Sequence, residues 1–351
     1  MPSDRMLEYY YAMGQDAVHL EKYEEAVAYF RKAANMGAIE AAGEICMLGY
    51  RFETGDGVSP DEEKARGYYE ISAEYGDMDG ALHAGKLYLQ SKSGRTNVRK
   101  ARKYLEKASD AGSGEAAALL AKMYDEGALG RVNARKAFQY YLLAAERGES
   151  AAMLMVGLFY AQGASAPKDL DAADTWIRRG AAQDAEDGVR TLRTFLSVAA
   201  TEYASGAAGR VDDDKAFAMA GEAERLGNPE AFLILGEVYR KDRRAGHGER
   251  AYRCFLRAEE NGIPAASSAL GFCYESGLGT APDIGKAVRC YQRAADAGVP
   301  FAMARLGYAY EMGEGVGKDE NLAMKWLIRA ALAGDKGALH TLKDDYDYEI
   351  R

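Results

Sequence analysis

The chain has 351 residues, 48% of them hydrophobic, and carries 45 basic against 54 acidic side chains, which gives a formal charge of −9. This acidic balance argues against a general nucleic-acid binder, because phosphate binding needs a basic face. The first residues lack a basic stretch followed by an apolar run, and no run of about 18 apolar residues occurs, so we expect a protein that is neither exported nor membrane-inserted.

One sequence pattern recurs along the whole chain. Each copy contains an alanine that recurs at a nearly constant spacing, which we call the regular alanine. A glycine stands eleven residues after it in every copy except the fifth, which has Asp184 at that position. Because Asp tolerates a left-handed backbone better than most residues, we expect Asp184 to replace the glycine without strain. The alanines return at steps of 35 to 43 residues and mark nine repeats: Ala26, Ala65, Ala101, Ala137, Ala173, Ala216, Ala251, Ala287 and Ala323.

Each repeat has the pattern of a helical hairpin. In repeat nine, Leu306, Gly307 and Tyr310 place a core residue, a close helix contact and an aromatic on one face of a first helix, which we call helix A. The second helix, helix B, carries an alanine-lined stripe that begins at Ala323, and Gly334 suits a left-handed cap that reverses the chain. A single hairpin cannot bury both of its faces, so the pattern predicts an all-α solenoid of about nine helix-turn-helix repeats.

In chain order, the repeats differ mainly at the two ends and in the middle. Repeat one, over residues 1–40, lacks the glycine loop and resembles a tetratricopeptide repeat that serves as a terminal cap. Repeats two to five occupy residues 41–187, and repeat six, over 188–230, predicts a longer helix from Thr191 to Gly206 and a bend. Repeats seven to nine occupy 231–337, and a polar cap or acidic tail over 338–351 completes a single domain, 1–351.

The loop between the helices carries the frame Gly-x-Gly-Val in its most complete copies, at Gly55-Asp56-Gly57-Val58 and Gly313-Glu314-Gly315-Val316. With Leu-Gly-x-x-Tyr before it and Asp-x-x-Lys-Ala after it, this frame resembles the Sel-1-like repeat, a close relative of the tetratricopeptide repeat. The resemblance covers nearly the whole chain. It implies a right-handed α/α superhelix that acts as an adaptor for other proteins and carries no chemistry of its own.

Four cysteines stand at positions 46, 254, 273 and 290, without Cys-x-x-Cys spacing. Buried, reduced thiols suit this pattern better than zinc ligands or disulfides, which predicts a reducing, cytoplasmic location. The cysteine-rich secreted branch of the family that the chain resembles places a cysteine pair in each repeat and has been linked with penicillin binding. Here most repeats have no cysteine, so we expect no antibiotic-binding role.

The sequence shows no pattern for catalysis or for a metal. It contains neither a Gly-x-Ser-x-Gly elbow nor a Gly-x-x-x-x-Gly-Lys-Ser/Thr loop, and the Gly-x-Gly segments follow helices rather than strands, so they are turns. We therefore expect no enzymatic activity, no cofactor and no metal. None of the four histidines has a ligand partner at metal-binding spacing: His19, His83, His247 and His340.

Binding residues are expected on the concave wall, which helix A lines in tetratricopeptide-like hairpins. Residues just after the helix-A glycine point into this groove, and they change from charged in repeats three and four to aromatic in repeats eight and nine. Aromatic anchors with a polar rim are typical of a peptide site, unless the next repeat or the tail covers them. The candidate groove residues are Lys86, Lys122, Leu158, Glu237, Phe272, Phe301, Tyr308 and Met312.

A basic segment follows helix A of repeat seven and comprises Arg240, Lys241, Arg243 and Arg244. Such a segment binds an acidic partner or forms a solvated face paired with acids of neighbouring repeats.

The prediction for function is a non-enzymatic scaffold or adaptor that holds a partner polypeptide in the groove, with no nucleic acid and no membrane insertion. The alternative is a regulatory or small-ligand-binding protein with a pocket near repeats six and seven, beside His247. Clustered, perturbed titratable groups in a cavity would favour that alternative. A third hypothesis is self-association through Tyr9–Met13, so the oligomeric state stays open, as does the identity of the partner.

Overall fold

The computed structural model describes residues 2–90, 94–242 and 244–346. These residues form nineteen α-helices and no strand, which confirms the all-α prediction. The chain divides into two compact units, an N-terminal unit over Met1–Gly188 and a C-terminal unit over Val189–Arg351. Within each unit, most successive helices pack against one another in the order of the sequence.

The N-terminal unit holds repeats one to five, each a pair of helices. The two helices of a hairpin contact each other most closely, and helix B of one hairpin then packs on helix A of the next. The helices are α1 (Pro2–His19), α2 (Tyr23–Asn35), α3 (Ile39–Thr54), α4 (Glu62–Glu74), α5 (Met78–Gln90), α6 (Gly94–Asp110), α7 (Gly114–Asp125), α8 (Ala134–Glu146), α9 (Ser150–Gln162) and α10 (Leu170–Ala181).

The C-terminal unit holds repeats six to nine and one further helix. Its first helix is the longest of the nineteen, in agreement with the long helix predicted for repeat six. The helices are α11 (Asp187–Ser205), α12 (Asp213–Arg225), α13 (Ala231–Lys241), α14 (His247–Glu260), α15 (Pro264–Ser276), α16 (Ile284–Asp296), α17 (Pro300–Met312), α18 (Glu320–Leu332) and α19 (Lys336–Asp345).

The glycine of helix A lets the two helices of a hairpin approach each other. A Cβ on Gly49 would lie 2.8 Å from ring atoms of Tyr69 on helix B, and a Cβ on Gly271 would lie 2.6 Å from the ring of Tyr291. Both rings are buried, and burying a side chain of this size stabilises the fold by about 2 kcal/mol. The glycine is therefore needed because a large helix-B side chain fills the space beside it.

One acidic residue fixes the turn between the helices. In repeat eight, Asp283 accepts a hydrogen bond from the amide of Lys286 (2.8 Å), and its own amide donates to the carbonyl of Tyr274 (2.8 Å) at the end of helix A. The Lys286 ammonium also lies 5.4 Å from the centroid of the Tyr274 ring. This cation–π contact accounts for the lysine before the regular alanine, and it recurs at Lys64–Phe52, Lys100–Tyr88, Lys136–Tyr124 and Lys215–Tyr203.

The glycine that ends each repeat adopts a left-handed backbone wherever it is present, as at Gly334 with φ of 97°. The expectation that Asp184 would take the same conformation is wrong, since Glu21 is the one non-glycine residue with positive φ in the described part of the chain. Asp184 instead accepts hydrogen bonds from the amides of Glu186 (3.2 Å) and Asp187 (3.1 Å). Its carboxylate therefore holds a different turn, at the start of α11.

The second glycine of the loop serves the contact between successive repeats. In repeat nine, Gly315 has φ of 71°, and a Cβ there would lie 2.9 Å from the side chain of Ile284 at the start of α16. In repeat eight, Gly279 approaches the backbone of Gly248 at the start of α14 in the same way. The loop of one repeat thus packs on helix B of the repeat before it.

Helix α19 closes the C-terminal unit. Its Ala338 and Leu342 are fully buried and join a core cluster that includes Leu306, Trp326 and Leu327 of repeat nine. Ala338 and Leu342, four residues apart, thus lie on the buried face of α19. The rest of the predicted acidic tail, residues 347–351, lies outside the described residues.

Candidate binding groove

The predicted groove residues of repeats seven to nine lie on the helix-A side of the C-terminal unit. In α13, α15 and α17, the residue after the helix-A glycine is Glu237, Phe272 and Tyr308, and each of these side chains is half-buried. Two pockets, which we call pocket 1 and pocket 2, open here. Their linings contain five of the predicted groove residues, three in pocket 1 and two in pocket 2.

Pocket 1 has a volume of about 320 Å³ and is lined by three successive A helices. Its aromatic residues are Phe272 and Phe301, and Phe301 is 45% exposed. Glu237 and Arg240 form an ion pair of 2.7 Å at its edge, and the Arg240 guanidinium lies 5.6 Å from the centroid of the Phe272 ring. The complete lining is Glu237, Arg240, Ala265, Ser268, Ala269, Phe272 and Phe301.

Pocket 2 has a volume of about 260 Å³ and lies between repeats eight and nine. Tyr308 and Met312 line it from α17, and Met312 is 70% exposed. Glu275 accepts a hydrogen bond from the Tyr291 hydroxyl (2.6 Å) and forms an ion pair with Arg305. The complete lining is Glu275, Ile284, Ala287, Val288, Tyr291, Arg305, Tyr308, Ala309, Met312 and Glu314.

The remaining predicted groove residues belong to the N-terminal unit. Lys86 forms an ion pair with Glu115 (2.5 Å), and Lys122 lies 3.7 Å from Glu126 one helical turn further on. Leu158 is half-buried at the corresponding position of α9. Both lysines thus have acidic neighbours within their own unit, and the exposed Lys122–Glu126 pair contributes little to stability.

The predicted basic segment is largely neutralised by its surroundings. Arg240 is held in the ion pair of pocket 1, and Arg244 pairs with Asp242. The hydrogen bonds from Arg244 lower the pKa of the Asp242 carboxyl to about 2. Lys241 is exposed, and Arg243 lies outside the described residues. The described arginines of this segment therefore already have carboxylate partners.

His247 is buried at the start of α14, with 2% of its surface exposed. Its Nε2 lies 3.4 Å from Asp213 Oδ2, its Nδ1 lies 3.6 Å from Asp242 Oδ2, and its ring meets Tyr239 edge-on at a centroid distance of 4.9 Å. This cluster encloses the imidazole between two carboxylates and an aromatic ring. No sequence spacing could have revealed it, since Asp213 comes from the preceding repeat.

All four cysteines are buried free thiols. Burial raises the pKa of each thiol, that of Cys273 to about 12. A thiol in such an environment stays protonated and reacts slowly, because the thiolate is the nucleophile.

Within the described ranges, no three His, Cys, Asp or Glu side chains come together in a way that could hold a metal ion. No helix of the same ranges combines the length and the apolar character needed to cross a bilayer.

The chain consists of helical hairpins whose two helices meet at a glycine and whose A helices share one face. These features define a repeat protein of the all-α solenoid class. The chain belongs to the Sel1 repeat family, which confirms the resemblance noted in the sequence. Repeats six and seven, which have the long α11 and the basic segment, are not among the matched parts. The model described as "Sel1 repeat" matches residues 9–37, 45–77, 79–113, 114–149, 150–184, 264–299 and 300–335.

Several solved structures are similar to this chain. A Sel1 repeat protein from Oxalobacter formigenes shares 27% identity, with 90% of this chain and 88% of that chain covered and a TM-score of 0.48. A protective antigen of uropathogenic Escherichia coli that displays an SLR fold shares 22% identity, with coverage of 98% and 80% and a TM-score of 0.40. Cysteine-rich protein B of Helicobacter pylori shares 26% identity, with coverage of 38% and 98% and a TM-score of 0.31. No curated protein matches the chain.

Proposed function

We propose that the chain is a non-enzymatic scaffold that binds a segment of a partner protein on the helix-A side of its C-terminal unit. The observation that carries this proposal is the pair of open pockets on α15 and α17, lined by Phe272, Phe301, Tyr308 and Met312. Membership of a repeat family built from helical hairpins supports it, because such repeats present extended surfaces to other chains.

The aromatic residues supply the affinity in this proposal. Phe301 and Met312 keep large exposed apolar surfaces that a partner side chain would remove from water. Each square ångström of apolar surface so buried contributes about 25 cal/mol. Anchors of this kind carry most of the binding energy in protein interfaces, and truncating one typically costs about 2 kcal/mol.

The charged groove residues supply specificity rather than affinity. Glu237 is already paired with Arg240, and Lys86 with Glu115. Because these charges are already balanced, a partner charge adds little affinity, and its effect lies in discrimination between partners. Lys86, Lys122 and Leu158 are proposed as partner contacts on the helix-A side of the N-terminal unit.

We further propose that the nine repeats form one scaffold domain that works in the cytoplasm. The four buried free thiols support a reducing compartment, in which cysteines stay unpaired.

Affinity capture from native lysate with quantitative mass spectrometry tests the proposal. The tagged chain is compared with the double variant Phe272→Ala/Tyr308→Ala and with Leu332→Ala, which removes a 67% exposed side chain outside both pockets. The double variant is expected to lose the specifically captured proteins while Leu332→Ala retains them, with equal helical circular dichroism for all three. Equal capture by the double variant and the parent chain would contradict the groove assignment.

A further inference from the structure

We propose that the segment bound by pockets 1 and 2 carries a Lys or Arg beside its apolar anchors. This inference rests on the proposed function and specifies the chemistry of the partner at the same site. It differs from the sequence-based hypothesis of an acidic partner, which depended on the basic segment of repeat seven.

The arginines of the groove are already engaged by carboxylates of the groove. Arg240 donates from Nε (3.0 Å) and Nη2 (2.7 Å) to the same Oε2 of Glu237, so one edge of its guanidinium is engaged. Its guanidinium also lies over the Phe272 ring. Arg305 of pocket 2 pairs with Glu275. Each arginine thus has its charge balanced by a glutamate of the groove, which weakens its attraction for an acidic partner residue.

One carboxylate of the pocket linings has no such counterpart. Glu314 lines pocket 2, is exposed, and makes no ion pair or side-chain hydrogen bond with any described residue. The charged residues of the two linings are three glutamates and two arginines, so their net charge is −1. Pairing of the arginines leaves this charge on the Glu314 side of pocket 2.

A long basic side chain matches the surface around Glu314. Met312, two residues earlier in the chain, is 70% exposed and lines the same pocket. Lys and Arg lay their apolar stems along such surfaces while the charged head reaches a carboxylate. One residue can therefore cover Met312 and pair with Glu314, while a neighbouring aromatic or aliphatic residue enters pocket 1.

The first experiment selects peptides from a phage-displayed library of roughly 12 random residues, the length of a short recognition segment. The full-length chain is the target, and phage that also bind the variant Phe272→Ala/Phe301→Ala are discarded. Enrichment of sequences with aromatic or aliphatic residues and a Lys or Arg supports the inference. Enrichment of acidic or uncharged sequences overturns it and leaves the groove as a binding site. Failure to enrich any Phe272-dependent sequence overturns the proposed function, and this inference with it.

The second experiment measures the affinity of one selected peptide by fluorescence anisotropy. Glu314→Lys is expected to weaken binding roughly fivefold at low salt and by less at high salt, because the pair is exposed and screened. Glu260→Lys, at an exposed position outside both pockets, is the matched control and leaves the affinity unchanged. A peptide with its Lys or Arg changed to Glu is expected to regain affinity on Glu314→Lys. Equal affinity of the parent chain and Glu314→Lys for the selected peptide would overturn the inference.

Discussion

Two glycines on the same helix, α3, are expected to respond in opposite ways to replacement by alanine. Gly43 has no atom of another element within 4 Å of the position that its Cβ would take, whereas a Cβ on Gly49 would lie 2.8 Å from Cδ1 and Cε1 of Tyr69. Alanine in a helix interior is favoured over glycine by up to about 1 kcal/mol. Gly43→Ala should therefore stabilise the protein by about that amount.

At Gly49 the same gain is outweighed by crowding. Tyr69 is fully buried, its hydroxyl donates to Glu53 (2.5 Å), and its ring stacks on His83 at a centroid distance of 4.9 Å, so the ring has little freedom to retreat. Overpacking of a tight core typically costs about 1–3 kcal/mol. Gly49→Ala is thus expected to destabilise the protein by about 1 kcal/mol net, which puts the two variants about 2 kcal/mol apart.

Urea denaturation followed by circular dichroism measures this difference, with the parent chain as reference. Since both variants alter one helix, any general effect of alanine on α3 is common to both. Equal stability of Gly49→Ala and Gly43→Ala would refute the argument that the helix-A glycine exists for contact with helix B.

Three further predictions concern the turn, the tyrosines and the thiols. Asp283→Ala removes the acceptor for the Lys286 amide and should lower the free energy of unfolding by about 1 kcal/mol in urea. Burial, and then the charges of Asp125 and Glu126, raise the pKa of Tyr141 from 10.0 to about 12. The neutral phenol therefore makes its full contribution to the stability of the fold below pH 10, and this contribution is lost between pH 10 and 12. Tyr141→Phe should retain more of its helical signal over that range. The four buried thiols should react with a thiol reagent only after unfolding.

Each of these three predictions has a contrary outcome. An unchanged urea midpoint for Asp283→Ala would show that water can replace the Asp283 carboxylate as the acceptor for the Lys286 amide. Identical alkaline transitions of Tyr141→Phe and the parent chain would mean that the phenol is not held neutral by the fold. Rapid titration of all four thiols in the native protein would contradict their burial.

The hairpin architecture could be predicted from the sequence because each backbone requirement leaves a residue type at a fixed spacing. Gly307 marks the close contact within a hairpin, Gly315 marks the contact between repeats, and Gly334 marks the reversal after helix B. The lysine–aromatic contact across the turn was not foreseen, although the recurrence of Lys before the regular alanine was its visible signal. Asp184 shows the limit of such spacing rules, because its backbone could have taken the left-handed turn but its carboxylate stabilises a different one.

The candidate groove residues could be chosen from the sequence, but the pairing of their charges could not. Glu237 and Phe272, which follow the helix-A glycine of their repeats, line one pocket together with Phe301 from the start of α17. Ion pairs between residues such as Arg305 and Glu275 join successive repeats, and their geometry depends on how those repeats stack. Counting charges along the chain could not show that the arginines of the groove were already paired. For the same reason, the burial of His247 between two carboxylates left no mark in the sequence.

Hydrogen–deuterium exchange of the full-length chain, alone and with a captured partner, locates the surface that the partner covers. Binding in pockets 1 and 2 is expected to slow exchange in the segments of α13, α15 and α17 that line them, and the Phe272→Ala/Phe301→Ala variant is expected to lose this protection. Protection confined to the B helices of the C-terminal unit, with the pocket segments unchanged, would contradict it.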